Sequence, residues 1–150
     1  MISRVIVAVL LPIACVWARA REAEILRDGV VLVGVQLACA RRAGVKHPER
    51  VRVLAVERIP MLLSPLLRHA AERFGLVSPH TAGMTLRYGI YLRADCVNDH
   101  RLLMHELTHV KQYERLGGIR KFLRVYLREC ITPGYPRSAL EREAQAMEWR

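Results

Sequence analysis

The residues in this chain best suited to chemistry are two histidines four apart with a glutamate after the first: His105-Glu106-Leu107-Thr108-His109. They stand in an apolar-patterned run over residues 101–116 whose spacing predicts a helix. Four residues on a helix is slightly more than one turn, so both imidazoles project from one side and can offer nitrogen to a single metal ion. Glu106 lies beside them on the helical wheel, where a carboxylate can take a proton from a water acidified by that metal. A tetrahedral catalytic zinc site takes three protein ligands and leaves one position open. The motif supplies two, so a third ligand has to come from elsewhere.

The foremost candidate is Glu141, in Ser138-Ala139-Leu140-Glu141-Arg142-Glu143-Ala144-Gln145. A helix is predicted to start there, just past Pro136, with Ser138 as its N-cap and Glu141 three residues on, at capping-box spacing. Glu143 is the rival ligand, almost opposite Glu141 on that helix. Leu102, Leu103, Leu107, Val110 and Tyr113 give the 101–116 helix an apolar face adjoining both histidines, so the site is expected at a protein-facing cleft. Asn98 or Asp99 can cap the start of that helix, and Gly117-Gly118 ends it. Tyr135, near the junction with the Glu141 helix, can donate a hydrogen bond to a developing oxyanion. The plain alternative is a buried amphipathic helix carrying two incidental histidines.

H-E-x-x-H followed by a glutamate on a later helix resembles the gluzincin metallopeptidases, the thermolysin-like group. Residues 81–112, which include Thr85, Gly89, Arg93 and Leu102-Leu103-Met104-His105-Glu106-Leu107-Thr108-His109-Val110-Lys111-Gln112, are more narrowly similar to one bacterial metallopeptidase domain. This is the extracellular contractile injection system core domain, whose members read roughly A-x-T-x-G-x-x-I-x-x-R, a loop, then L-L-A-H-E-L-T-H-V-x-Q-Q. The likeness extends loosely over residues 140–145, and nothing before Pro79 takes part in it. It implies Zn2+ held by His105, His109 and Glu141, with Glu106 as general base in peptide-bond hydrolysis and a peptide or protein as substrate. Gln145 stands where gluzincins carry an aspartate that orients one ligand histidine. A neutral amide can still accept that hydrogen bond but raises the basicity of the imidazole less. The resemblance also implies that an extended substrate pairs with the strand preceding the metal helix. The run 87–93, with Arg87, Tyr88, Gly89, Ile90 and Tyr91, is the expected edge.

A chain of 150 residues, 52% of them apolar, suits one domain with a real core. Its four cysteines show no C-x-x-C spacing, which argues against a second zinc site or a redox pair. The formal charge of +10 is spread along the chain rather than gathered in a block. Three classes of function therefore stand: a zinc peptidase, a catalytically inactive zinc-stapled binding module, and a basic nucleic-acid-associated protein. The last lacks a helix-turn-helix, zinc-finger or aromatic ribonucleoprotein signature.

The expected architecture is α+β, a small zincin-like domain over residues 21–150 with a short sheet beside the metal helix and the glutamate-bearing helix across it. Residues 1–20 form a separate apolar segment, read equally as a signal-like leader, a membrane anchor or a helix packed on the domain. Export or membrane association and a cytoplasmic location accordingly stay open together. Residues 21–27 predict a short polar helix, 30–42 a buried helix or a strand then a helix, 51–56 a strand, 65–74 a helix and 119–130 an amphipathic helix.

Overall fold

In the computed structural model, which describes residues 2–61, 68–69, 72, 81–134 and 137–150, the chain is an α+β fold. Among the described residues five helices, α1 (Ile2–Asp28), α2 (Gly34–Ala43), α3 (His100–Leu116), α4 (Ile119–Glu129) and α5 (Ala139–Met147), surround one mixed sheet. Its strands are β1 (Val30–Val31), β2 (Arg52–Val56), β3 (Gly83–Leu86) and β4 (Gly89–Arg93), in the order β1-β2-β4-β3. β2 and β4 run parallel, and both outer pairs are antiparallel. The helix expected at 65–74 falls almost wholly outside the described residues.

β4 is the spine of the sheet, and Ile90, Tyr91 and Leu92 are fully buried. Ile90 and Leu92 face a core of Cys39, Ala40 and Ala43 from α2 and Leu103, Met104, Leu107 and Val110 from α3. Tyr91 faces the other core, made by Val7, Leu11, Cys15, Ala18 and Ile25 of α1 with Phe122 and Leu127 of α4. A strand covered on both faces must be apolar on both, which is why this run does not simply alternate.

The expected edge was therefore misplaced. Tyr88, Gly89, Ile90 and Tyr91 are buried in or beside the central strand, whereas among the described residues the edge strand preceding α3 is β3. Arg87 and Tyr88 form the two-residue hairpin turn that joins β3 to β4, with Leu86 opposite Gly89. Arg87 takes a positive φ of 60° there, as such a turn requires. Gly89, the first residue of β4 after that turn, is a glycine because of what packs on it. A Cβ on it would stand 2.9 Å from Ile25 Cδ1 and 3.0 Å from Ile25 Cβ, so α1 sits directly on the strand backbone.

α1 joins the two segments that the sequence suggested were separate. One helix runs from Ile2 to Asp28 with Pro12 inside it. Val7, Leu11, Cys15, Ala18, Glu22 and Ile25 recur at three- and four-residue intervals and are all buried, a single helical face laid on the domain. Glu22, on that face, accepts a hydrogen bond from the Tyr88 backbone amide at 3.3 Å, and burial raises its pKa.

The close seat of α1 on Gly89 makes a test. Gly89→Ala forces helix and strand apart and is expected to cost about 1–3 kcal/mol. Urea unfolding would show this as a lower midpoint with an unchanged slope. An unchanged midpoint would mean that α1 does not seat there.

Candidate metal centre

Both helices that carry the candidate ligands are fixed at their ends by local chemistry. Asp99 caps α3 by accepting hydrogen bonds from the amides of Arg101 (2.9 Å) and Leu102 (3.2 Å). Gly117 closes it in the left-handed conformation at φ 90°, its amide donating to the Tyr113 carbonyl. α5 starts at Ser138, whose hydroxyl oxygen accepts from the Glu141 amide at 3.3 Å, as the capping-box spacing predicts. The other half of the box is not formed by Glu141. Glu129, at the end of α4, accepts from the Leu140 amide (3.1 Å) and the Ser138 hydroxyl (2.7 Å). Glu141 is thereby released from capping, and its side chain, 1% exposed, turns to the histidines.

Three donor atoms converge. His105 Nε2 and His109 Nε2 stand 3.1 Å apart, His105 Nε2 is 3.3 Å from Glu141 Oε2, and His109 Nε2 is 3.4 Å from Glu141 Oε1. Ligand atoms held about 2.0–2.1 Å from a tetrahedral ion stand about 3.3–3.4 Å apart, so these spacings are of the size a zinc ion would take, with each histidine facing a different oxygen of the Glu141 carboxylate. His105, His109 and Glu141 are also the group among the described residues able to hold a metal ion.

The surrounding hydrogen bonds fix the tautomers. His105 Nδ1 is 2.8 Å from Glu148 Oε1, and a carboxylate only accepts, so Nδ1 carries the proton. His109 Nδ1 is 2.8 Å from Gln112 Oε1. Gln112 is oriented by its own Nε2, which donates to the Leu140 carbonyl (2.9 Å) and Glu143 Oε2 (3.0 Å). His109 Nδ1 must then donate to the amide oxygen. In their neutral forms both histidines therefore aim a bare Nε2 lone pair at the other and at a carboxylate. Glu141 Oε2 is buried and makes no hydrogen bond. Two lone pairs and an orphaned carboxylate oxygen in a buried place need a cation between them.

The titration behaviour follows from this. Burial lowers the pKa of His105, but the facing Glu141, the charge of Glu106 and the bond to Glu148 reverse that and raise it to about 9. Burial would raise the pKa of Glu141, yet the adjoining His105 and His109 and the Tyr126 hydroxyl, which donates to Oε1 at 2.7 Å, hold it well below the carboxylate range. Without a metal, a proton on His105 supplies the missing positive charge.

Glu106 is beside this triad and 4% exposed. Its Oε2 accepts from the Thr85 hydroxyl of β3 at 2.6 Å. A Cβ on Gly83 would lie 2.6 Å from Oε1, so the carboxylate rests against the edge-strand backbone where only glycine leaves space.

No family model, curated protein or solved structure matches the chain. The assignment of roles therefore rests on geometry. His105, Glu106, His109 and Glu141 come together. Glu143 does not join them: it is held by Lys111 (3.2 Å), Gln112 and both terminal nitrogens of Arg115 (3.1 and 2.9 Å), pinning α5 to α3. Gln145 is exposed, and the imidazole-orienting role expected of it belongs to Gln112 and Glu148. Tyr135 lies outside the described residues. His100 and His69 are exposed, and Cys96 contacts Arg93 and Asp95 instead.

Four contributors were not singled out from the sequence. Gln112 follows His109 by three residues and Glu148 follows Glu141 by seven, so helical spacing would have placed both on the right faces. Arg101 stacks its guanidinium 3.7 Å above the Trp149 ring and helps hold that end of the chain. Tyr126 carries no local signal, because its role depends on how α4 packs.

Two measurements check the centre. Purified chain lacking a histidine tag is expected to hold one zinc, lost in Glu141→Ala and His109→Ala and retained in Glu143→Ala; loss in Glu143→Ala alone would reassign the third ligand. Ligation also needs His105 Nε2 bare, so zinc binding at pH 7.5 should release close to one proton, measured by calorimetry in buffers of different ionisation enthalpy. In the metal-free chain the sign is that of a raised pKa: the stability from charged His105 is whole below about pH 6.5 and is lost as pH rises through about 9. Zinc uptake without proton release would contradict that assignment.

Proposed function

We propose that this chain is a zinc-dependent hydrolase of peptide bonds with a zincin-like arrangement. The observation that carries the reading is the pair of imidazole nitrogens 3.1 Å apart beside the buried Glu141 carboxylate, whose Oε2 makes no hydrogen bond. His105, His109 and Glu141 would hold the zinc, leaving one of four tetrahedral positions open. A zinc ion there supplies Lewis acidity, polarising a scissile carbonyl and bringing the pKa of a water to roughly neutral.

The remaining work belongs to the protein's own residues. Glu106 receives a proton from the attacking water and delivers it to the leaving amine, which makes it general base and then general acid. Thr85 donates to one oxygen of that carboxylate and orients it, so proton transfer falls to the other. Glu148 and Gln112 keep the two imidazoles in the tautomers that offer Nε2. Tyr126 steadies Glu141.

A peptide substrate is supported by what lies beside Glu106. Among the described residues β3 ends the sheet, so its outer backbone edge can pair with an extended chain, and Gly83 on that strand lies against the Glu106 carboxylate. This moves the proposed substrate edge from residues 87–91 to Gly83–Leu86.

The separating experiment pairs metal content with cleavage of a diverse peptide library. Glu106→Gln is expected to keep its zinc and lose hydrolysis by at least about 100-fold. Gly83→Ala, which displaces Glu106, is expected to keep zinc and lose about ten-fold or more. Full hydrolysis by Glu106→Gln would overturn the mechanism. A zinc-loaded parent that cleaves nothing would favour a zinc-stapled binding module.

A further inference from the structure

Between Arg4 and Arg19, every position that α1 leaves exposed is apolar: Val5, Ala8, Val9, Pro12, Ile13 and Val16. Val5, Val9 and Val16 are 59%, 60% and 68% exposed. The opposite side of the same turns, Val7, Leu11, Cys15 and Ala18, is already buried in the domain. This half of the helix is thus apolar all round, a composition that belongs under cover.

The charges nearby indicate what covers it. No acidic residue occurs before Glu22, so the ridge is bounded at its ends by Arg4 and Arg19 alone. α1 packs along α4, where Arg120, Lys121, Arg124 and Arg128 are all exposed. None of these four is in an ion pair among the described residues. An apolar ridge next to a row of unneutralised cations is complementary to a surface that is negative outside and apolar beneath, which is an anionic lipid bilayer. No helix among the described residues is long and apolar enough to cross a membrane. A second copy of the chain fits less well, because a symmetric contact through the ridge would bring like-charged α4 stripes toward each other.

We propose that α1 lies flat in the interface of an anionic membrane, with Val5, Val9, Ile13 and Val16 among the acyl chains and the α4 cations at lipid phosphates. The two signals act together, one hydrophobic and one electrostatic, as stable interfacial binding requires.

The test is sedimentation of the full chain with vesicles of phosphatidylcholine, alone or with about one-third phosphatidylglycerol. Binding is expected to be at least about ten-fold stronger to the anionic vesicles and to weaken as salt rises. Val9→Asp/Ile13→Asp should lose about ten-fold or more of that binding, with an unchanged melting temperature showing that the fold persists. Arg120→Gln/Arg124→Gln/Arg128→Gln should lose the preference for anionic vesicles, by about five-fold for each arginine removed. Absence of binding by the parent, or undiminished binding by either variant, would overturn the proposal. So would a dimer in sedimentation equilibrium that Val9→Asp/Ile13→Asp dissociates without any vesicle binding, which would assign the ridge to a second copy.

Discussion

Two imidazole nitrogens with their lone pairs turned toward each other repel, and a buried carboxylate oxygen with no donor is costly to keep. Both conditions meet in one place, because His105 and His109 each spend their N–H on an outer acceptor. A positive charge between them offsets these penalties, whether it is a metal ion or a proton on His105, whose pKa the surrounding glutamates raise to about 9. The difference is that a proton satisfies one nitrogen and an ion satisfies all three donors. That difference is why these three residues form a group that could hold a metal ion.

The acidic residues are deployed around this constraint. The chain has 14 Asp and Glu against 24 Lys and Arg, so negative charge is scarce. Glu106, Glu129, Glu141, Glu143 and Glu148 nevertheless all serve the centre or the helices that hold it. Glu129 takes the capping duty at the start of α5, which leaves Glu141 free to face the histidines. Glu143 ties α5 to Lys111, Gln112 and Arg115 of α3, which sets the distance between the two ligand-bearing helices. The basic excess lies on the outside, where it governs what the surface approaches.

Much of this was legible because it is periodic. His105, Glu106 and His109 share a helix face by spacing alone, and Ser138 announced the start of the Glu141 helix by its cap. The strand at 52–56 and the helices on either side of Gly117-Gly118 were read within a residue or two from patterning and glycine stops. The failures are cases where tertiary contact decides. Gly89 looks like a turn residue, but it is a glycine because Ile25 of a distant helix presses on it. Residues 87–91 look like an edge because they alternate loosely, yet β2 pairs with β4 from 33 or more residues away and puts that run at the centre. Residues 1–20 differ in composition from residues 21–27, and a helix packed on the domain was one of the three readings composition allowed for them. What unites them is a buried face spanning both, from Val7 to Ile25, and polarity of the exposed face is irrelevant to it.

Gly83 joins the sheet to the chemistry. An edge strand offers free backbone groups, but a side chain at this position would occupy the space of the Glu106 carboxylate. A glycine there lets the Glu106 carboxylate sit against the strand, and Thr85 two residues on shares the same strand face and fixes the carboxylate by its hydroxyl. Residues 83 and 85 thus set the Glu106 carboxylate from the sheet, while residues 105 and 109 set the imidazole nitrogens from the helix. A shift of the strand by one residue would turn both Gly83 and Thr85 away from Glu106. The hairpin through Arg87 and Tyr88 holds that register, so the strained turn at φ 60° contributes to the site even though its side chains face elsewhere.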